Sequence, residues 1–191
     1  MKSKAYKGGD FEREVCKLLS KWWSKGLGME ERDDIFWRTS QSGGRATQRR
    51  KLGMSTFGSY GDIAAVDPIG EPLLKFVTLE LKRGSSHGTP WDLFESAPSK
   101  AIRPFEAALA QAKTSSEQAG SMGWALIARR DRKEAMIYLD RELGRLLGPH
   151  ICSYVMFRIG VNPGSTIRFT AHRLEDFLYK VTPQKIIECL K

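Results

Sequence analysis

Residues 61–82, GDIAAVDPIGEPLLKFVTLELK, constrain this chain more than any other stretch. Ile63, Ala65 and Val66 have strand character, as does the run from 74 to 81, while Asp67, Pro68, Gly70 and Pro72 punctuate the middle. The pattern predicts two short β-strands around a turn centred near Gly70 and Glu71. In such an antiparallel hairpin Asp62 falls opposite Glu80, with Cβ atoms about 4.5–5.5 Å apart, close enough for two carboxylates to share a divalent cation. Side chains alternate along a strand, so Glu80 and Lys82 project from one face and Leu79 and Leu81 from the other. Glu-x-Lys alone is also an ordinary charge pair of an edge strand. What raises it here is the acid at hairpin distance and the basic segment that leads into that acid.

That segment runs from 38 to 61. Its basic residues are Arg38, Arg45, Arg49, Arg50 and Lys51, and it holds no acid. Rich in Gly, Ser and Thr, it reads as a long loop whose guanidinium forks and hydroxyls, Ser40 among them, suit phosphate oxygens. A solvated basic loop would have the same composition. DNA contact is the preferred reading because the run enters directly at Asp62. Arg83, just past Lys82, extends the basic set. The order Gly-x4-Gly-Lys-Ser/Thr is absent, so this is not a nucleotide-binding P-loop.

The overall charge agrees. With 31 Lys and Arg against 22 Asp and Glu, the chain carries a net charge of +9. A polyanionic partner follows, nucleic acid before membrane, since no run approaches the length of a membrane span. Its 191 residues suit one domain with a proper core. Cys16, Cys152 and Cys189 are widely spaced and no signal peptide precedes them, which points to a reduced, cytoplasmic setting and structural thiols. His87, His150 and His172 offer no paired zinc ligands. Nothing calls for an organic cofactor.

Along the chain, Asp10 is placed to cap a helix in which Phe11, Val15, Leu18, Leu19 and Trp22 recur at helical spacing and which Gly26 or Gly28 ends. Glu12 and Glu14 then fall in its first turn, where the helix dipole by itself accounts for carboxylates. Residues 35–38 form a short strand. Pro104 opens a second helix, with Phe105, Leu109 and Ala112 on its buried face and Gly120 at its end; Gln111, Lys113 and Gln118 can face either the site or solvent, and solvent is the preferred reading. Strands at 124–128 and 135–139 follow, then a helix at 141–147, strands at 152–159 and 166–170, and helices at 174–179 and after Thr182-Pro183. The expected architecture is α/β, a central mixed sheet flanked by helices.

Hydrolysing a phosphodiester requires cations to offset the developing charge, a nucleophilic water, and a group to orient it. Asp62 and Glu80 can hold Mg²⁺ through hard oxygens, aided by the main-chain carbonyl of Leu81, and Lys82 can position or help deprotonate the water.

Gly61-Asp62 followed by Glu80-Leu81-Lys82 resembles the bipartite motif of the PD-(D/E)xK nuclease superfamily, with glycine at the nominal proline. The segment KGGDFERE, residues 7–14, is similar to the first helix of archaeal Holliday-junction resolvases, as Arg38-Thr39-Ser40 and Ser42-Gly43-Gly44 are to a segment before their motif aspartate. The resemblance implies a restriction-endonuclease-like core and an additional active-site carboxylate, which falls on Glu12 as a catalytic or metal-binding residue. It also implies Mg²⁺ as cofactor with Mn²⁺ able to substitute, 5′-phosphate products, and a homodimer if the substrate is a four-way junction. The loop before Asp62 is longer than in the compact resolvases, and the chain from about 140 onward has no counterpart.

The leading expectation is therefore a Mg²⁺-dependent endonuclease on branched or structured DNA. Alternatives are a restriction-type or phage duplex nuclease, or an exonuclease. The last is lowered because RecB-like exonucleases carry Gln-x3-Tyr on the following helix and neither Gln111 nor Gln118 meets it. A non-catalytic nucleic-acid-binding module is disfavoured, because acids presented to phosphate would repel it.

Overall fold

A computed structural model describes residues 4–39, 60–92, 103–148, 155–162 and 165–191. Ser40, Arg45, Arg49, Arg50 and Lys51, together with His150 and Cys152, lie outside the described residues.

The first helix, α1 (Lys4–Gly26), starts earlier than the cap at Asp10 would have it. The residues before the glycine pair include good helix formers, and the turn continues through Gly8 and Gly9 into the amphipathic run. Asp10 is thus interior and accepts a 2.7 Å bond from Arg13. No acid occupies the first turn, which removes the dipole explanation for Glu12 and Glu14. Phe11, Val15, Leu19 and Trp23 bury one face, and Cys16 is buried beside them.

The hairpin expected over 61–82 does not form. Strand β2 (Ile63–Ala65) pairs antiparallel with β1 (Phe36–Arg38), placing Arg38 opposite Ile63. The Pro/Gly punctuation then starts helices rather than a turn. Asp67 caps a 3₁₀ turn, Pro68–Gly70, by accepting from the Ile69 N–H at 3.0 Å. Helix α2 (Glu71–Phe76) follows, with Pro72 in its first turn and Lys75 paired to Glu71 four residues back. Proline suits both a turn and the start of a helix, since the first-turn N–H is unsatisfied in either case.

Strand β3 (Val77–Arg83) is an edge of a five-stranded sheet ordered β3-β4-β5-β7-β6. Its partner β4 (Gly123–Arg129) runs parallel, which requires a crossover, and α3 (Pro104–Ala119) supplies it. Strands β5 (Ala135–Asp140), β6 (Val155–Asn162) and β7 (Ser165–Arg173) complete the sheet in antiparallel pairs. The short helices α4 (Arg141–Leu147), α5 (Leu174–Lys180) and α6 (Pro183–Cys189) close the chain. The result is the expected α/β arrangement, a mixed sheet flanked by helices.

Alternation along the strands divides the core. Leu79, Leu81, Ala125, Ile127, Ile137 and Leu139 pack with α1, α2, α5 and α6 on one face. Trp124, Leu126, Ala128 and Tyr138 pack with Phe105, Leu109 and Ala112 of α3 on the other. Glu80 and Lys82 belong to the α3 face, so the charged end of β3 lies beside that helix. Among the described residues, no helix is long and apolar enough to cross a membrane.

Candidate active site

Gly61 determines how closely β2 can approach β3. Its φ is +76°, and a Cβ there would stand 2.7 Å from the Leu79 carbonyl oxygen and 2.9 Å from Thr78 Cγ2. Only glycine enters that space in that conformation without strain. The contact brings the next residue against the strand: the Asp62 N–H donates to Leu79 O at 2.8 Å, and Asp62 Oδ2 accepts from the Leu81 N–H at 2.7 Å. Thr39 braces the other side, its N–H donating to Asp62 O and its hydroxyl to Gly61 O, both at 3.0 Å. The expected meeting of Asp62 with Glu80 thus occurs without the expected hairpin.

Glu80 is 2% exposed yet fully partnered. Ser115 Oγ donates to Oε1 at 2.7 Å and Gln111 Nε2 to Oε2 at 3.0 Å. Lys82 Nζ lies 3.7 Å from Glu80 Oε2 and donates to Gln111 Oε1 at 3.1 Å. Gln111 therefore clamps acid and lysine together with the two ends of one amide. Gln111 is exposed to solvent and also faces the site, so both alternatives open for it are met; Lys113, paired with Glu117, faces outward. Ala108, Gln111, Ala112 and Ser115 follow one helical stripe, a spacing that places both polar side chains at the margin of the buried face. That periodicity was the available signal for Gln111 and Ser115.

The two acids feel one another. Burial, followed by the neighbouring Glu80 carboxylate, pushes Asp62 up to about 6, against the opposing effects of the Leu81 N–H and Lys82. The two buried carboxylates supply hard oxygens that attract a cation, and Lys82 Nζ, 3.7 Å from Glu80, offsets part of their charge. A residue's N–H and C=O point to the same side of an extended strand, so the Leu81 carbonyl faces the edge on which Asp62 sits. Mg²⁺ is typically held by one or two carboxylates and retains several waters, and this set fits it. Among the described residues, no group of three or more His, Cys, Asp or Glu stands close enough together to hold a metal ion.

Glu12 is accordingly not a third member of that cluster. Its Oε2 lies 3.3 Å from Arg38 Nη1. The guanidinium rests against the helix at Gly9, where a Cβ would come within 2.8 Å of Nη1. Cys16, one turn beyond Glu12, has its thiol pushed up to about 12 by burial and then by the charge of Glu12, with Asp62 adding to it. Both carboxylates thus act on the same buried sulfur. Glu14 is taken by Arg129 of β4, whose guanidinium also lies 4.6 Å from the centre of the Phe11 ring. Arg83 holds the β4–β5 turn, donating to the carbonyls of Arg129 and Arg130 and pairing with Asp131 at 3.2 Å. Of the residues expected to touch DNA, Arg38 and Arg83 are the two described, and each has an intramolecular partner.

A family model described as "Phage putative PDDEXK endonuclease" matches residues 2–188. The chain belongs to that family. No curated protein and no solved structure matches it. In this PDDEXK family member, Asp62, Glu80 and Lys82 stand along the chain in the order that the family's name abbreviates. The match reaches past 140, so the C-terminal strands and helices belong to the family's own pattern.

Proposed function

We propose that the protein is a Mg²⁺-dependent deoxyribonuclease, an endonuclease that hydrolyses phosphodiesters in branched or otherwise structured DNA and leaves 5′-phosphate and 3′-hydroxyl ends. The observation that carries this reading is the convergence of Asp62, Glu80 and Lys82 at one sheet edge, with Asp62 bonded to the backbone between the other two. Asp62, Glu80 and the Leu81 carbonyl would hold Mg²⁺, with Mn²⁺ able to replace it. The cation, when bound, supplies charge neutralisation at the phosphate and acidifies water. Lys82 orients the attacking water and stabilises negative charge on the phosphorane, and Gln111 keeps its ammonium in register with Glu80. Ser115 fixes the opposite carboxylate oxygen, so Glu80 cannot rotate away. Glu12 acts as an outer carboxylate whose availability is set by Arg38. Phosphate contact is assigned to Arg38, Arg45, Arg49, Arg50, Lys51 and Arg83, with DNA as partner and a homodimer as the assembly on a two-fold substrate.

An exonuclease is the second reading, and one contact favours it. Gln111 lies on the helix following the Glu-x-Lys strand and bonds both Glu80 and Lys82; Ser115 in place of the tyrosine of Gln-x3-Tyr counts the other way.

Incubation with matched linear duplex, single strand, flap and four-way junction DNA in Mg²⁺, with the cuts mapped, decides between them. Internal cuts near branch points are expected. Mononucleotides released from ends would establish the exonuclease, and no cleavage of any substrate in Mg²⁺ or Mn²⁺ would overturn both.

A further inference from the structure

Beside the candidate site, on the α3 face of the sheet, lies a cavity of about 680 Å³. Its floor follows one cross-strand row that begins at the active-site lysine. Lys82 is opposite Ala128, Ala128 opposite Met136, and Met136 opposite Arg173. Strands are about 4.8 Å apart, so Ala128 sits one spacing from the Lys82 backbone and Met136 two. The small side chain of Ala128 leaves the hollow.

His87 forms one side. It is 7% exposed, and its Nδ1 has no hydrogen-bond partner among the described residues. An unmet polar atom in a buried side chain is costly unless something arrives to satisfy it. Trp91, 59% exposed, also lines the cavity, with Arg130, Arg132 and Lys133 and with Glu134, whose carboxylate is paired to Arg173 at 3.1 Å. Burial, reinforced by the charges of Arg130 and Lys82, keeps the His87 imidazole below its usual pKa, so the neutral ring has one donor and one acceptor nitrogen.

These features select a class of ligand. An acyl chain would fill the apolar floor but leave His87 Nδ1 unmet. A nucleotide satisfies all of them, with a planar base for the tryptophan, a polar edge for the histidine and a phosphate for the arginines.

Resting on the nuclease reading above, we propose that this cavity receives one unpaired nucleotide of the DNA strand bound at the Asp62–Glu80 site, its base against Trp91 and His87 and its phosphate toward Arg130 and Arg132. The shared row with Lys82 favours a nucleotide within the strand over a free mononucleotide. The substrate would then be DNA with an unpaired residue next to the cut, where the cost of taking a base out of the stack is lowest.

The test is fluorescence anisotropy of the whole protein in EDTA, so that no turnover intervenes, with three labelled duplexes: fully paired, carrying one unpaired adenine, and carrying an abasic residue at that point. The unpaired adenine is expected to bind more tightly than the abasic control by on the order of tenfold, the size of one base–aromatic stack. Trp91→Ala should erase that difference while leaving affinity for the paired duplex unchanged. Equal affinities for adenine and abasic duplexes, or a preference that survives Trp91→Ala, would overturn the proposal, as would tighter binding of free dAMP than of the unpaired-adenine duplex. Equal affinities alongside intact Mg²⁺-dependent cleavage would reject the pocket alone, whereas absent cleavage would reject the nuclease reading without altering the EDTA comparison.

Discussion

Asp62 Oδ2 accepts a 2.7 Å hydrogen bond from the Leu81 N–H, so the first acid of the site is fastened to the strand that carries the second. The bond fixes distance and orientation before any cation arrives. It also holds two carboxylates together in a place where both cannot comfortably be ionised.

That crowding gives a pH dependence of stability. The Asp62 carboxyl is raised from 3.8 to about 6 in the folded chain, chiefly by burial and then by Glu80. A raised folded-state pKa favours the native state below the unfolded pKa, and this contribution is lost as pH rises through about 6. The loss amounts to about 3 kcal/mol for a shift of this size. Thermal denaturation in EDTA should therefore show wild-type stability falling between about pH 4 and pH 6, with Asp62→Asn lacking that component. Mg²⁺ at neutral pH should restore wild-type stability and leave Asp62→Asn unmoved.

Gly61 is expected to tolerate no side chain. Gly61→Ala places a Cβ 2.7 Å from Leu79 O in a left-handed backbone conformation. The cost should be about 1–3 kcal/mol, read as a lower urea midpoint. Because the Asp62 N–H to Leu79 O bond must lengthen, cleavage should fall further than stability alone accounts for.

Gln111 and Ser115 act through Glu80. Gln111→Ala removes a partner from both Glu80 and Lys82, and Ser115→Ala removes one from Glu80. Each should lower activity about 10–100-fold, with part of the loss recovered at higher Mg²⁺, as for other groups that orient metal ligands. Titrating Mg²⁺ against initial rate checks this; a reduced maximal rate with no change in Mg²⁺ requirement would place the two residues elsewhere in the mechanism.

These contacts show what could be read from the amino acids alone. Strand alternation was enough to put Glu80 and Lys82 on one face and Leu79 and Leu81 on the other, because β3 is long and its leucines have a core to meet. The route between Asp62 and Glu80 was not legible. Pro68, Gly70 and Pro72 serve a hairpin turn or a helix start equally well, and the choice is made by a tertiary fact, the pairing of β2 with β1. Gln111 was left open for a different reason: a glutamine at the margin of an apolar stripe suits solvent or site equally until the strand beside it is known to carry a buried glutamate.

DNA affinity should depend steeply on salt. Contact with about six phosphates predicts a slope of log affinity against log salt near −5. Measured by anisotropy across a salt series, a flat response would remove the phosphate-binding role assigned to residues 38–51 and to Arg83.

The most direct measurement compares wild type, Lys82→Ala and Asp62→Asn for DNA cleavage in Mg²⁺ and, on the same preparations, for DNA binding. The account predicts that both variants lose Mg²⁺-dependent cleavage while binding survives. Undiminished cleavage by either variant would contradict it.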